Sequence, residues 1–430
     1  MNVAALKGIS GRANVSLLSY AVMLFQLTAF LLLAFKKQPL DMQALTFAVG
    51  LPIITYVVVT VIPRIWKIDR ILLTLVLFLC SVSLVTLQDV ARAPSTTTEQ
   101  AMFMVLGLGA MVLMIAFIRW LRAWEKWKYP LMILSLIAIA LPLIAGEWQY
   151  GAKRWVRLFI VAGPMWQPTE PVKISLLLIL AIFFSQRNGF RDQLVALGFA
   201  VALCVVALLG RNLGMLLMYF FLTLTIYFLS TSNGLMTLGG LGAGAVGSVG
   251  AFYMFEYVQK RVEMFLNPWS DPQVYGFQTI QALIAIGSGG LFGMGLGLGL
   301  PRNIPLYHAD FIFAALSEEF GYLFALCLLA VYVLIVMRGI SIAMNARSSF
   351  HALVAFGASV LLGLQTLVVV GGNTKLIPLT GETLPFIAAG GSSMITCFAL
   401  IGLLLGISSI NAQYEMEDLR RAEWQGGVPV

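Results

Sequence analysis

The stretch Phe277-Gln-Thr-Ile-Gln-Ala-Leu-Ile-Ala-Ile286-Gly287-Ser-Gly289-Gly290-Leu-Phe-Gly293-Met-Gly295-Leu-Gly297-Leu-Gly299-Leu300 decides how this chain is threaded. It is apolar and long enough to cross a bilayer, which takes about 20 residues. Its second half is crowded with glycines, and each interior glycine weakens a helix by about 1 kcal/mol. The stretch therefore reads as a short helix near 278–286 followed by a glycine-rich re-entrant or surface segment. The basic residues agree. With twelve spans elsewhere and the N-terminus inside, Lys7, Arg12, Arg64, Lys67, Arg70, Arg119, Arg122, Lys126, Lys128, Arg187, Arg191, Arg338, Arg347, Arg420 and Arg421 fall in cytoplasmic segments, 15 of the 27 Lys and Arg. That is the bias the positive-inside rule asks for. A thirteenth span would put Arg338 and Arg347 outside and Lys375 inside.

Working outward, apolar runs mark the twelve spans at 15–35, 42–62, 71–87, 101–118, 131–145, 171–184, 194–209, 213–229, 235–254, 311–337, 352–370 and 384–407, the shorter ones extending into flanking polar residues. Of 430 residues, 60% are hydrophobic and 11% charged, with mean hydropathy +0.92; a soluble domain carries about 25% charged residues. The expected fold is an all-α polytopic membrane protein of one integral domain. The net charge of +8 follows from cytoplasmic Lys and Arg and implies no nucleic acid. Cys80, Cys204, Cys327 and Cys397 lie in apolar runs, where free cysteine packs as a small hydrophobe. Two histidines, His308 and His351, exclude a histidine-rich metal site. The N-terminus has no cleavable-signal pattern.

Other basic residues fall in outer segments: Lys36, Lys37, Arg92, Lys153, Arg154, Arg157, Arg211, Lys260, Arg261, Arg302 and Lys375, with Lys173 at a helix start. Two readings fit them, snorkelling to outer headgroups and binding of an anionic substrate. The Gly242-x-Gly244-x-x-Gly247 pattern lacks the preceding strand of a dinucleotide site; small residues there suit close helix packing.

Four constellations can carry chemistry. Gly151-Ala-Lys153-Arg154-Trp155 is followed by Trp166-Gln167-Pro168-Thr169-Glu170-Pro171-Val172-Lys173. Glu170 and Lys173, three apart, share a helix face, as a functional pair or as an ion pair pinning the helix end. The outer loop of about 255–310, long enough to be functional, holds Lys260-Arg261-Val-Glu263 and Asn267-Pro268-Trp269-Ser270-Asp271-Pro272. Pro272 pushes Asp271 to extended or turn backbone, as a plain turn former or as a displayed carboxylate. Tyr307-His308-Ala309-Asp310-Phe311 leads to Ser317-Glu318-Glu319, where Asp310 is an N-cap or a site residue. Adjacent acids cannot both face lipid cheaply, so Glu318 or Glu319 must face a polar cavity or a partner. Last, Gly371-Gly372-Asn373-Thr374-Lys375, Pro378-Leu-Thr380-Gly381-Glu382-Thr-Leu-Pro385-Phe386 and Gly390-Gly391-Ser392-Ser393 form a broken stretch, tolerated at membrane depth only where protein covers it or it lines a cavity.

These constellations, in this order, resemble the SEDS family (shape, elongation, division and sporulation), which includes RodA, FtsW and SpoVE. The family patterns are GA-x-RW, FQPSE-x-x-K, NP-x-x-DP-x-x-x-G-x-Q-x-x-Q, IGSGGLFGKGLG, HTDFIFA-x-x-EELG and PxTGxxLPFxSYGGSS; Gly276, Gln278 and Gln281 complete the third. Trp166, Thr169, Ala309 and Ala388-Ala389 depart from them. Arg211-Asn212-Leu-Gly214 replaces Pro-Asp-Leu-Gly and loses a carboxylate, so no catalytic work is assigned there. The resemblance covers about 71–407. It implies a ten-helix core at 71–410, two additional N-terminal helices within 1–70, and a cytoplasmic tail at 411–430.

The resemblance further implies a peptidoglycan glycosyltransferase of the bacterial cytoplasmic membrane, polymerising lipid II on the outer face for cell shape, division or sporulation. Inversion at the anomeric carbon needs a base and cations for the departing pyrophosphate. Asp271 is then the base. Lys153, Arg154, Lys173, Lys260 and Arg261 bind pyrophosphate, Glu170 orients Lys173, and Gln278, His308, Asp310 and Glu318 complete the substrate-binding set. No soluble transpeptidase segment is expected, so a class B penicillin-binding protein is the implied partner, beside membrane lipids. No cofactor site is defined, and a divalent cation stays open. A lipid II flippase and a non-catalytic divisome or elongasome scaffold are the rival readings; a flippase needs a polar path to the cytoplasmic side.

Overall fold

The structure is a computed structural model describing residues 3–36, 39–90, 94–120, 124–149, 152–157, 165–186 and 189–424. Lys37, Arg92, Arg122, Gly151 and Arg187, named above, lie outside the described residues, as do 425–430. Long apolar runs become helices because, in hydrocarbon, a helix satisfies its own backbone groups. The described helices are α1 (Val3–Lys36), α2 (Met42–Ile65), α3 (Arg70–Val90), α4 (Pro94–Trp120), α5 (Lys128–Ala145), α6 (Thr169–Ser185) and α7 (Phe190–Leu209). They continue with α8 (Leu213–Thr231), α9 (Gly234–Met254), α10 (Glu256–Leu266), α11 (Phe277–Gly289), α12 (Ile312–Met344), α13 (Ser349–Asn373) and α14 (Gly391–Trp424).

Eleven of these, α1–α5, α7–α9 and α12–α14, are long and apolar enough to cross a membrane. The twelfth expected span is α6, whose 17 residues reach about 26 Å at 1.5 Å per residue. It is buried along nearly its whole length. Sheathed by protein, it need not match the full bilayer. Residues 384–390 depart from the expected last span. They stay outside α14, with Pro385 followed by Phe386 at φ 63°, a backbone no helix continues.

α3, α6, α13 and most of α14 form the buried centre, with Leu72, Leu79, Leu176, Leu180, Phe398 and Leu404 fully enclosed. Near the N-terminus, Gln26 donates to Thr55 and Ser81 (2.8 and 2.7 Å), and Gln88 donates to Asp41 (3.0 Å), tying α1 and α2 to α3. α9 has no buried residue. It meets α8 where Gly240 and Gly244 leave room for Leu224 and Phe220, the packing use read from that glycine pattern.

The polar elements gather at one end of the bundle. The 255–310 loop holds α10, which has no apolar run to announce it; Glu256 and Lys260, four apart, pair at 2.9 Å on it. Between α5 and α6 lies a small antiparallel sheet, β1 (Glu147–Gln149), β2 (Ala152–Arg157) and β3 (Met165–Trp166). After α11 the chain leaves the helix, as the glycines predict, and pairs with a break in α12. At Gly321 (φ 80°, ψ 174°) α12 is interrupted. The freed Glu318 and Glu319 carbonyls accept from Met294 and Gly295 (2.8 and 3.0 Å), while Tyr322 and Leu323 donate to Gly290 and Leu291 (2.9 and 3.2 Å). Only glycine adopts that backbone readily.

Candidate active site

On β2, alternate residues face opposite ways, and this separates Lys153 from Arg154. Lys153 Nζ donates to the carbonyls of Leu143 and Ile144 (2.7 and 3.4 Å), closing the C-terminal end of α5. Arg154 turns inward, where Nη1 donates to Gly381 O (3.1 Å). Opposite it, α10 carries Arg261, whose Nη1 donates to Leu379 O and Thr380 O (both 3.1 Å). The broken stretch after α13 thus passes between two guanidinium groups.

These groups border a cavity of about 730 Å³. Among the described residues, its lining includes five cations (Arg154, Arg211, Lys260, Arg261, Lys375) and two acids (Glu256, Asp310), a formal excess of 5 − 2 = +3. Phe255, Tyr257, Phe265 and Tyr275 supply aromatic surface. Burial raises the Asp310 carboxyl above its usual range, against the opposing pull of Arg154 and Arg261. Burial also lowers Arg261, and Arg154 lowers it further. Lys260 Nζ donates to Tyr275 Oη (3.1 Å) over the same cavity.

A second cavity of about 160 Å³ shares Arg154, Asp310 and Gly381 with the first and adds Glu170 and Glu382. Glu170 Oε2 lies 2.6 Å from Lys173 Nζ, and both are buried. Lys173 also donates to Gln365 Oε1 (2.9 Å); Gln365 Nε2 in turn donates to Thr383 O (2.8 Å) and Ser393 Oγ (3.1 Å). Burial and, after it, the nearby Glu170 carboxylate push Glu382 up to about 7, against the opposing pull of Arg154 and Lys173. Gly214, at the first turn of α8, leaves the space that Glu382 occupies. Asn212 caps α8 by accepting from Met215 N (3.3 Å).

Sequence-predicted residues therefore divide. Arg154, Lys260, Arg261, Gln278 and Asp310 line the larger cavity. Glu170 borders the smaller one, with Lys173 behind it. Lys153 is turned away by strand alternation. Glu318 sits beside the glycine-rich segment, accepting from Leu300 N (3.0 Å). His308 borders neither cavity; its carbonyl accepts from Ala389 N (2.8 Å) and its ring packs edge-on against Tyr307. Asp271 lies between α10 and α11 and borders neither cavity. Its Oδ1 accepts from Val274 N (3.3 Å) and its Oδ2 from Tyr275 N (3.4 Å). Tyr275 and Gln278, a few residues on, do line the larger one.

Several residues of these cavities and their supports were not assigned to the site from sequence. Gln365 is a polar group inside α13, and that cost alone could have flagged it; Glu382 lies in the stretch between α13 and α14, and its burial comes from the space left at Gly214. Arg211, set aside for its missing carboxylate neighbour, lines the larger cavity. No group of three or more metal-ligating side chains occurs among the described residues.

The pattern of the FtsW/RodA/SpoVE family of cell cycle proteins matches residues 64–413. The chain is 34% identical over 336 residues to the peptidoglycan glycosyltransferase RodA of Mycobacterium tuberculosis, covering 74% of this chain and 71% of that one. It is 33% identical over 321 residues to stage V sporulation protein E of Bacillus subtilis, covering 72% and 86%. Its fold is similar to the rod shape determining protein RodA of Thermus thermophilus (TM-score 0.60, 28% identity, 80% of this chain and 98% of that). It is also similar to a chain in a structure described as coordinating polymerization and crosslinking in a peptidoglycan synthase complex (TM-score 0.68, 28% identity, 80% and 99%).

Proposed function

The chain belongs to the FtsW/RodA/SpoVE family and is a peptidoglycan glycosyltransferase, and on that premise we propose that it polymerises lipid II in the cavity between β2, α10 and the broken stretch after α13. The observation that carries this reading is the cavity's excess of cations beside aromatic side chains. A pyrophosphate needs fixed positive charge as it departs, and sugar faces pack on aromatic rings. Arg154, Arg261 and Lys260 are the pyrophosphate set, joined by Arg211 and Lys375. The Glu170–Lys173–Gln365 chain holds the floor in place rather than touching the donor. Asp271 is assigned as the base that takes the acceptor hydroxyl proton; its carboxylate lies outside the cavity lining, in the turn that leads to Tyr275 and Gln278 on the cavity wall.

The same reading assigns 71–410 to the catalytic core, 1–70 to accessory helices and 411–430 to a tail. It puts the cavity on the outer face of the cytoplasmic membrane, with both termini inside. A separate class B penicillin-binding protein supplies cross-linking; the likeness to a peptidoglycan synthase complex supports that partner.

Asp271 carries two jobs that one substitution separates. Asp271→Asn keeps one oxygen, for the Val274 amide, gives up the longer bond from Tyr275 N and removes the base. The purified variant should melt like the wild type and make no glycan from labelled lipid II, with or without the partner. Normal glycan from Asp271→Asn would refute the assignment. No glycan from folded wild type with a competent partner would favour transport or scaffolding instead.

A further inference from the structure

A second polar cluster lies apart from the cationic cavity, beside the glycine-rich segment. Asp89, near the end of α3, and Glu319, on α12, line one cavity of about 350 Å³. Their side chains are 5% and 2% exposed. Each acid has one oxygen engaged: Glu319 Oε2 accepts from Gly297 N, and Asp89 Oδ1 lies 3.2 Å from Lys36 Nζ. Their other oxygens, Asp89 Oδ2 and Glu319 Oε1, are buried with no donor from the rest of the described chain, and the two carboxyl groups interact with each other. Arg302 borders the cavity from the far end of the segment, donating to Val90 O (2.9 Å).

Lys36 is the last residue of α1. Besides Asp89, its ammonium donates to the carbonyl of Leu296 (2.5 Å), 260 residues along the chain. At Gly297, φ is +64°, and the ammonium stands where a Cβ would be. A lysine at a helix end ordinarily snorkels outward to headgroups. This one, although its side chain stays 37% exposed, is held by a buried carboxylate and a backbone carbonyl. The hairpin that delivers it is fixed to α3 through Gln26, Thr55, Ser81 and Asp41.

We propose that Lys36, from outside the 64–413 stretch that matches the family, is a positioning residue for the glycosyltransferase, clamping the glycine-rich segment to α3 and α12. The segment joins two walls of the cationic cavity, Gln278 and Thr279 on α11 and Leu306 and Asp310 before α12. Glycines give it little stiffness of its own. Its register relative to those walls is set by the α12 break on one side and by the ammonium on the other. Without Lys36, the buried Asp89 carboxylate loses its ion-pair partner, and among the described residues Arg302 is the one cation left on the cavity wall; a low-dielectric site penalises that loss heavily.

The test uses the full chain in nanodiscs, with Lys36→Met, Lys36→Arg and Lys36→Met/Asp89→Asn. Two quantities are read: backbone hydrogen exchange over 290–300, and kcat and KM for lipid II polymerisation. Lys36→Met should speed exchange over 290–300 about tenfold while leaving α14 unchanged, as expected for local opening. Its kcat should fall about tenfold with KM nearly constant, because the cost is in alignment rather than binding. Lys36→Arg should keep both. The double variant should recover part of the loss, since no unpaired carboxylate remains. Wild-type exchange in Lys36→Met, or an Arg variant as impaired as Met, would overturn the clamp. Faster exchange with unchanged turnover would overturn the positioning role. Should Lys36→Met not accumulate, Lys36→Gln, which keeps a donor for Leu296 without the charge, decides by the same two readings. The turnover arm rests on the cationic cavity being the polymerase site; the exchange arm does not, so the two can fail separately.

Discussion

Two stretches of this molecule leave the helix within a membrane domain, and they solve the same problem with opposite polarity. From 379 to 388 the exposed groups are carbonyls, and side-chain donors take them. Arg261 serves Leu379 and Thr380, Arg154 serves Gly381, Gln365 serves Thr383, Tyr332 serves Pro385 (2.6 Å), Ser83 serves Ile387 (2.7 Å) and Gln100 serves Ala388 (3.0 Å). From 290 to 300 the chain exchanges backbone bonds with the broken α12, Met294 and Gly295 donating to it and Gly290 and Leu291 accepting from it, and the Glu318 and Glu319 carboxylates take two further amides. The side chains diverge accordingly. Phe386 and Ile387 are buried, whereas Leu291, Phe292 and Leu298 face outward. A stretch held by side-chain donors is sensitive to charge and hydroxyl deletions; one held by backbone pairing is sensitive to any added Cβ.

Arg261→Met gives the largest break in that contrast. It strips two carbonyls of their donor and takes a charge from the cavity. Polymerisation should fall about 100-fold or more, the scale of losing one electrostatic contact to the reacting group. Single-turnover assays with labelled lipid II would show it. Gly321→Ala probes the other stretch. The substitution forces a side chain into a backbone that costs about 1–3 kcal/mol, so the melting temperature should drop clearly. Turnover per folded molecule should change less than for Arg261→Met. Tyr332→Phe sharpens the comparison at a single bond. Deleting one buried donor leaves Pro385 O unserved, for about 1–3 kcal/mol, read as a modest shift in melting.

The remaining test is a slope with pH. Burial holds Glu382 near 7 when folded, above its ordinary range. Folded protein then binds more protons than unfolded, so stability is greatest below the ordinary carboxylate range and falls as pH rises towards about 7. Glu382→Gln should flatten that part of a melting-temperature profile. An unchanged slope would assign the titration elsewhere.

Much of this was legible because hydrocarbon leaves a chain few options. Apolar runs long enough to span had to be helices, and the crowding of glycine after Ile286 had to end one. What escaped reading came from elements whose cause is tertiary. α10 is amphipathic but short and polar on average, so it does not stand out beside the membrane spans, yet it carries Lys260 and Arg261 to the cavity. β2 turned neighbouring basic residues, Lys153 and Arg154, to opposite destinations, and a strand could not be inferred from so short a polar segment. Lys36 looked like one more outer-loop cation; its partners are 53 and 260 residues away. Glu382 looked like part of a loop because its burial depends on the space left at Gly214.

α14 has 34 residues, about 51 Å of helix at 1.5 Å per residue, against roughly 30 Å of hydrocarbon. Its first turn, at Gly391 and Ser392, borders the smaller cavity. Its far end is clasped by the ion pair of Asp418 with Arg347 and by the contact of Met416 with Lys67. Such a helix is a drive shaft with a bearing at each end. One unbroken helix thus joins the contacts at Asp418 and Met416 to the wall of the smaller cavity, with its middle packed tightly against its neighbours.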